Sequence, residues 1–371
     1  MLKKIKDFFF IFKSINRINQ KKPKYLFYSE NKSYLKFGYL IIEYLAKKFP
    51  GEVYYVSSDI DDKINNLDVI NVHISSGFLL QYFFTSVSAE NLFMTLTDLN
   101  NSIIKKNKFV KNYIYYFHGA VSTTKIYTST AFDNYDTILC NGDYQIKEIQ
   151  QRESIENLKK KKLIKTGFFY FDYLTSKIDQ IISDNNEILV APSWNKNKKN
   201  FINEDFEKII EKLLDNGHKV RFRPHPETIK RSKHLMNLYK EKFHGDNFIF
   251  DDFAGNFDAL KKAKCLITDN SGISIEYMLI FKRPTIYYGE FDKIHNEKFD
   301  MYKNLNTMDD LVKKKFGYKI DSDQINNIND IINKSILEFK KNEIDKFLNE
   351  NFYNYGKTIK FFDENLLKIC N

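Results

Sequence analysis

Cysteine is scarce in this chain of 371 residues: Cys140, Cys265 and Cys370 stand far apart and are odd in number. They outline neither a disulfide framework nor a zinc cluster, and a reducing compartment is expected. With 13 glycines and 6 prolines, collagen-like and low-complexity architectures are excluded. No apolar run reaches the roughly 18 residues of a membrane-spanning helix. Gly-x-Gly, the P-loop, His-Glu-x-x-His and Cys-x-x-Cys are all absent. Classical dehydrogenases, Walker-type kinases and the common zinc hydrolases therefore drop out.

What is present is a chain with 43% hydrophobic and 29% charged residues, enough for two domains that each bury a core. The 58 Lys and Arg exceed the 48 Asp and Glu, giving +10 and favouring anionic partners. Part of this surplus is local. Lys3, Lys4, Lys6, Lys13, Arg17, Lys21 and Lys22 face one acid, Asp7, in residues 1–22, interleaved with Phe8, Phe9, Phe10, Ile11 and Phe12. Such a segment lies on an anionic membrane surface, or packs as an amphipathic helix on the protein itself. No small-residue cleavage site follows, so a secretory leader is not expected. Nucleic acid is not an expected partner either, because no reader motif accompanies the charge.

From Lys24 onward short apolar runs alternate with helical stretches, the pattern of parallel sheets covered by helices. Strands are expected at Lys24–Tyr28, Val53–Ser57, Val69–Val72, Leu92–Leu96, Tyr113–Phe117 and Thr137–Cys140, with a short one ending near Gly167. A second set begins with Ile188–Ala191 and continues through Lys219–Arg223, Phe248–Asp251, Cys265–Thr268 and Thr285–Tyr288. The fold class is α/β, with Rossmann-like domains over residues 23–178 and 186–324 facing across a cleft, and a helical tail from 325 to 371.

Three stretches carry chemistry. In Cys265–Tyr277 an apolar strand ends at Asp269, turns through Asn270, Ser271 and Gly272, and enters a helix. The free N–H groups of such a helix start bind phosphate, and Gly272 permits close approach. Glu276, one turn later on the same face, is placed to accept from ribose hydroxyls; an ordinary N-cap by Ser271 with a solvated Glu276 is the plain alternative. In Lys219–Glu227 two prolines hold His225 at a strand end, with Arg221 and Arg223 beside it. In Tyr113–Gly119 an aromatic strand delivers His118 to the cleft edge, a candidate general base. His73, His218, His234, His244 and His295 have weaker contexts and read as structural or surface. Ala191-Pro192-Ser193-Trp194 ends another strand, where Ser193 and Trp194 either meet a ligand or pack. Asp59-Ile60-Asp61 has the spacing of a metal-binding pair and equally that of a solvated turn.

Taken in order, His118-Gly119, Ala191-Pro192-Ser193-Trp194, Arg223-Pro224-His225-Pro226, Asp269-Asn270-Ser271-Gly272 and Lys282-Arg283-Pro284 resemble the CDP-glycerol glycerophosphotransferases of teichoic acid and capsule synthesis. The resemblance spans roughly Tyr113 to Tyr288. The His-Gly motif of that family continues Thr-Pro-x-Lys, whereas this chain has Ala120-Val121-Ser122-Thr123-Thr124-Lys125. The resemblance implies a GT-B fold, with His118 and His225 both essential. It implies attack of an acceptor hydroxyl, on a glycan or lipid-linked acceptor, on the β-phosphate of a CDP-alcohol, releasing CMP. His118 would be the base, His225 with Arg223 would stabilise the pyrophosphate, Ser193, Asn270, Ser271 and Gly272 would hold the donor, and Glu276 its ribose. No metal and no cofactor are expected, and the enzyme is expected at the cytoplasmic face of the plasma membrane. A GT-B glycosyltransferase using CMP-Kdo or a UDP-sugar fits the same donor turn, and a non-catalytic membrane or nucleic-acid binding protein is the reading from another class.

Overall fold

The computed structural model describes residues 2–178, 186–194, 202–252, 257–289, 293–302 and 307–370, with side chains from residue 8. Seven strands form the first sheet: β1 Tyr25–Ser29, β2 Val53–Ser57, β3 Ile70–His73, β4 Ala89–Met94, β5 Val110–Tyr116, β6 Thr137–Leu139 and β7 Lys162–Ile164. Six form the second: β8 Glu187–Val190, β9 Lys219–Phe222, β10 Phe248–Phe250, β11 Ala263–Thr268, β12 Thr285–Tyr288 and β13 Gly317–Ile320. Every neighbouring pair is parallel. The orders are β3-β2-β1-β4-β5-β6-β7 and β10-β9-β8-β11-β12-β13. Strands such as β1, β2, β8 and β12 are buried along their whole length, which is why they read as unbroken apolar runs rather than alternating ones.

Each sheet reverses its strand order once, between β1 and β4 and between β8 and β11, and at such a reversal the connections leave to opposite faces and open a crevice. The helix Lys32–Lys48 borders the first crevice, capped by the Asn31 side chain accepting from the Ser33 N–H. Gly38 lets this helix press onto β5, since a Cβ there would lie 2.7 Å from Tyr116 Oη. The helix Ile273–Ile280 borders the second crevice and is buried from Ser274 to Ile280. Its Ile275, Met278 and Leu279 join the core of the first sheet, so the two lobes share apolar contacts.

Beyond β13 the helix Ile328–Glu338 packs on the second core through Ile328 and Ile332. The chain then crosses to the first lobe, where Phe347, Leu348, Phe352 and Phe362 join its core. Tyr353 N–H donates to the Asn141 carbonyl at 2.8 Å, and Asn112 Nδ2 donates to the Ile369 carbonyl at 2.9 Å. Gly167, at φ +87°, sits where a Cβ would be 2.0 Å from the Tyr353 carbonyl oxygen, so only glycine admits the tail there.

The helix Phe78–Ser86, the helix Met308–Phe316 and strand β13 escaped the sequence reading. The expected junction between the domains falls on residues 179–185, outside the described residues.

The N-terminal helix Leu2–Lys21 packs on the protein itself, one of the two expectations for it. Ile11, Ile15 and Ile18 are buried, Phe12 stacks on Tyr82 at 4.9 Å, and Ser88 N–H donates to Asn19 Oδ1. Fully burying an isoleucine contributes roughly 1.5–3 kcal/mol, so three hold the helix on the domain. Phe9, Phe10 and Phe78 nevertheless stand 64%, 71% and 66% exposed on the adjoining surface.

Candidate active site

Because both order reversals face the same space, the loops after β1, β4 and β5 of the first sheet meet those after β8, β9, β11 and β12 of the second. They enclose a cleft of about 700 Å³. His118, His225, Asn270, Ser271, Gly272 and Glu276 all line it. Six of the eight residues expected from sequence thus stand around one cavity. The two lobes approach closely here: a Cβ on Gly272 would lie 3.6 Å from Val121 Cγ1, in the loop that follows His118.

The turn after β11 is held from below. Asp269 accepts from Ser193 N–H at 2.8 Å and from Ser193 Oγ at 2.7 Å, which ties the ends of β8 and β11 together. Ser193 is therefore 98% covered, since its exposure is 2%, and it is not among the cleft-lining residues. No side chain caps the helix Ile273–Ile280, whose N-cap is Gly272 rather than Ser271. Ser274 and Ile275 N–H turn back onto the Ser271 and Gly272 carbonyls at 3.1 Å. Among the described residues this leaves Gly272 and Ile273 N–H as the unclaimed donors at the helix mouth, where an anion is favoured.

Arg223 also stays behind the wall. Its Nε and Nη2 donate to Asp251 Oδ2 at 3.1 and 2.6 Å, and the residue is buried outside the cleft lining. Its positive charge still reaches the cleft as a field: burial pushes the Lys36 ammonium down, Glu276 opposes this, and Arg223 adds to the lowering. Ser193 and Arg223 accordingly act as supports under the turn and the His225 strand, which corrects the expectation of direct contact.

His225 is the N-cap of the short helix Pro226–Arg231, and its Nδ1 accepts from Glu227 N–H at 3.1 Å. A backbone N–H can only donate, so neutral His225 carries its proton on Nε2 and is a donor there. Its ring stacks beside Trp194 at 6.4 Å, and Arg231 lies over the far ring at 5.4 Å. Trp194 is a cleft residue. Burial pushes His225 down to about 4, aided by Lys293 and opposed by Glu227.

His118 sits in an aromatic box of Tyr34, Phe37 and Tyr127, with ring centroids 5.5, 6.0 and 5.6 Å away. Its Nδ1 is 3.3 Å from Tyr115 Oη. Burial lowers it to about 4, a hydrogen bond with the Thr95 backbone acts the other way, and Lys36 lowers it further. Both imidazoles are therefore neutral at pH 7.

The loop after His118 is anchored across the lobes. Ser122 N–H donates to Asp309 Oδ2 at 2.7 Å, and Lys125 Nζ pairs with Asp310 at 2.7 Å. Asp309 lines the cleft and is raised to about 6 by burial. Glu276 is buried and its carboxyl is raised, with Lys36 as the opposing influence. Glu30, Lys36, Lys293, His295 and Asp309 line the cleft without having been singled out, and His295 is not the surface or structural residue it seemed. Lys36 follows the Asn31 cap by five residues, and that cap directly after a strand was the signal available. Lys293 lies in a loop with no local signature, and Asp309 stands in the first turn of the helix Met308–Phe316, which the sequence reading missed. Asp59, by contrast, closes a solvated turn by accepting from Asp61 N–H at 3.0 Å.

A family model described as CDP-glycerol:poly(glycerophosphate) glycerophosphotransferase matches residues 11–309. The chain belongs to this family. It is therefore an enzyme of the CDP-glycerol glycerophosphotransferase type, a class engaged in teichoic acid polymer synthesis. No curated protein matches the chain. Among solved structures, the wall teichoic acid polymerase TagF is similar, with a TM-score of 0.63 and 17% identity over 94% of this chain and 89% of that one. UDP-GlcNAc 2-epimerase from Methanocaldococcus jannaschii, in complex with UDP-GlcNAc and UDP, gives 0.57 and 13% over 93% and 99%. The Neisseria meningitidis epimerase gives 0.57 and 12% over 92% and 99%. At these identities the structures speak for the fold, a two-domain GT-B arrangement.

Two imidazole resonances, assigned by their loss in H118N and H225N, are expected to titrate near pH 4 instead of the ordinary 6.5. Because the folded values are depressed, the unfolded chain takes up protons first. Folding stability is then complete above pH 6.5 and falls as pH drops towards 4, which NMR titration combined with urea unfolding checks.

Proposed function

We propose that this glycerophosphotransferase moves a glycerol-phosphate or related polyol-phosphate unit from a CDP-alcohol to a hydroxyl of a glycan or lipid-linked acceptor, releasing CMP. The observation that carries the reading is one cleft lined by His118 from the first lobe and by His225 and the Asn270–Gly272 turn from the second. A variant of TagF has been soaked with CDPG, which supports a CDP-glycerol donor.

In this reading the donor diphosphate lies against Gly272 and Ile273 N–H, with His225 Nε2–H donating to a phosphate oxygen. Glu276 accepts from the ribose. The acceptor oxygen attacks the β-phosphorus, its proton passes to His118, the new P–O bond forms, and the bond to the α-phosphate oxygen breaks as CMP leaves. The two histidines thus differ in role because His225 has its Nδ1 occupied by a backbone donor and can act only through Nε2–H while neutral. His118, made weakly basic by burial, becomes a better base once the anionic diphosphate sits beside it, since a nearby negative charge favours imidazolium. Transfer of this kind depends mainly on alignment and charge neutralisation. Ser193, Arg223 and Asp269 hold the donor turn in register.

The exposed Phe9, Phe10 and Phe78, with Lys13 and Arg17 exposed nearby on the same helix, support binding to an anionic membrane surface. On this reading the enzyme works as a peripheral protein on the cytoplasmic face of the plasma membrane, in teichoic acid or capsule polysaccharide synthesis.

With CDP-glycerol, CDP-ribitol and UDP-GlcNAc offered separately, CMP release from a CDP-alcohol is expected. H118A and H225A should each lower turnover by about 100-fold or more while leaving the melting temperature within a few degrees. Release of UDP alone, or unchanged turnover in both variants, would contradict the reading. For the membrane, removing residues 2–21 would strip a packed helix from the core, so F9S/F10S is the appropriate change. It should release the protein from phosphatidylglycerol vesicles in sedimentation without altering soluble turnover.

A further inference from the structure

Lys36 is the one lysine or arginine that the first lobe contributes to the cleft lining among the described residues. Its Nζ lies over the rings of Phe37 and Tyr170, at 5.0 and 5.2 Å from their centroids. Among the described residues it has no hydrogen-bond acceptor and no carboxylate at ion-pair distance, although Glu276 across the cleft influences it. An ammonium resting on two ring faces in a cleft wall keeps its N–H donors available for an anion. Its surroundings are rigid. The same helix packs against β5 through Gly38 and Tyr116, and β5 leads directly to His118. Phe37, the next residue, contacts the His118 ring. Lys36 therefore holds a fixed place between the imidazole on the acceptor side and Glu276 on the nucleotide side, whose charges it feels or perturbs.

Resting on the proposed phosphotransfer, we infer that Lys36 is a further catalytic residue, the cation with which the first lobe binds the non-bridging oxygens of the β-phosphoryl group as it passes from CMP to the acceptor. The second lobe, through His225 and the helix mouth, serves the diphosphate and the departing CMP. The phosphoryl group in flight carries its charge on oxygens that face away from both the attacking and leaving atoms, and a cation at that site acts more strongly in the transition state than on the bound donor. A merely structural lysine would instead show its loss in folding or in donor affinity.

The test compares the full chain with K36Q and K36R, measuring CMP release from CDP-glycerol in steady state and donor affinity by calorimetry. K36Q is expected to lose about 100-fold or more in kcat with donor affinity changed less than about threefold, and K36R to recover at least about a tenth of wild-type kcat. K36Q with kcat within about threefold of wild type would overturn the assignment. So would a loss confined to donor affinity, or equal failure of K36R and K36Q while both melt like wild type. If K36Q does not fold, K36R alone decides: retained turnover supports the assignment, and loss in a folded K36R removes it. Absence of CMP release from the wild-type chain removes the phosphotransfer reading itself, whereas normal wild-type release with an unimpaired K36Q removes only Lys36.

Discussion

The docking of one short helix governs the rest of this structure. Ile273–Ile280 belongs to the second sheet by sequence but buries Ile275, Met278 and Leu279 in the core of the first. Three apolar side chains of this size contribute several kcal/mol when removed from water, on the order of 5–8 kcal/mol as an upper figure. That packing sets the separation of the lobes and brings the Gly272 turn within van der Waals reach of the loop carrying His118. Had the helix presented a polar face, the two order reversals would still exist, but not around one cleft.

Around this apolar seam the charged groups divide into those that fasten and those left open to the cavity. Arg223 with Asp251, Lys125 with Asp310, and Asp269 with Ser193 fasten strand ends and loops; for the buried pair Arg223–Asp251, breaking one partner costs more than the pair contributes, because the remaining charge stays desolvated. His118, His225, Lys36, Glu276 and Asp309 face the cavity, and burial shifts each towards its neutral form. These groups respond to charge, so an entering diphosphate favours imidazolium at the two histidines and the ammonium form of Lys36.

Much of this was legible in the sequence, and the reason is physical. Parallel strands buried on both faces are continuous apolar runs, so all but β13 could be marked, and β13 was missed because Gly317-Tyr318-Lys319-Ile320 is an edge strand with only one fully buried residue. His118, His225 and the Asn270 turn stood out because each ends a strand, and strand ends in such sheets meet at the cleft. Arg223 and Ser193 misled because sequence gives proximity and not direction: alternation placed Arg223 beside His225, while Asp251 and Asp269 decided where the polar atoms point. Lys293 and Asp309 were invisible because their place depends on how one lobe sits on the other, and the Asn31 cap was the one local mark that Lys36 carried. The basic N-terminal stretch was read as either membrane-facing or self-packing, and its buried isoleucines and exposed phenylalanines occupy different faces of one helix.

The proposed transfer depends on a nucleotide diphosphate held at the Gly272 helix mouth between imidazoles from opposite lobes. A crystal structure of the H118N chain with CDP-glycerol tests it most directly. A phosphate oxygen is expected within hydrogen-bonding distance of His225 Nε2 and of Gly272 or Ile273 N–H, with the β-phosphorus facing position 118. A diphosphate bound away from that turn, or with both side chains out of reach, would contradict it.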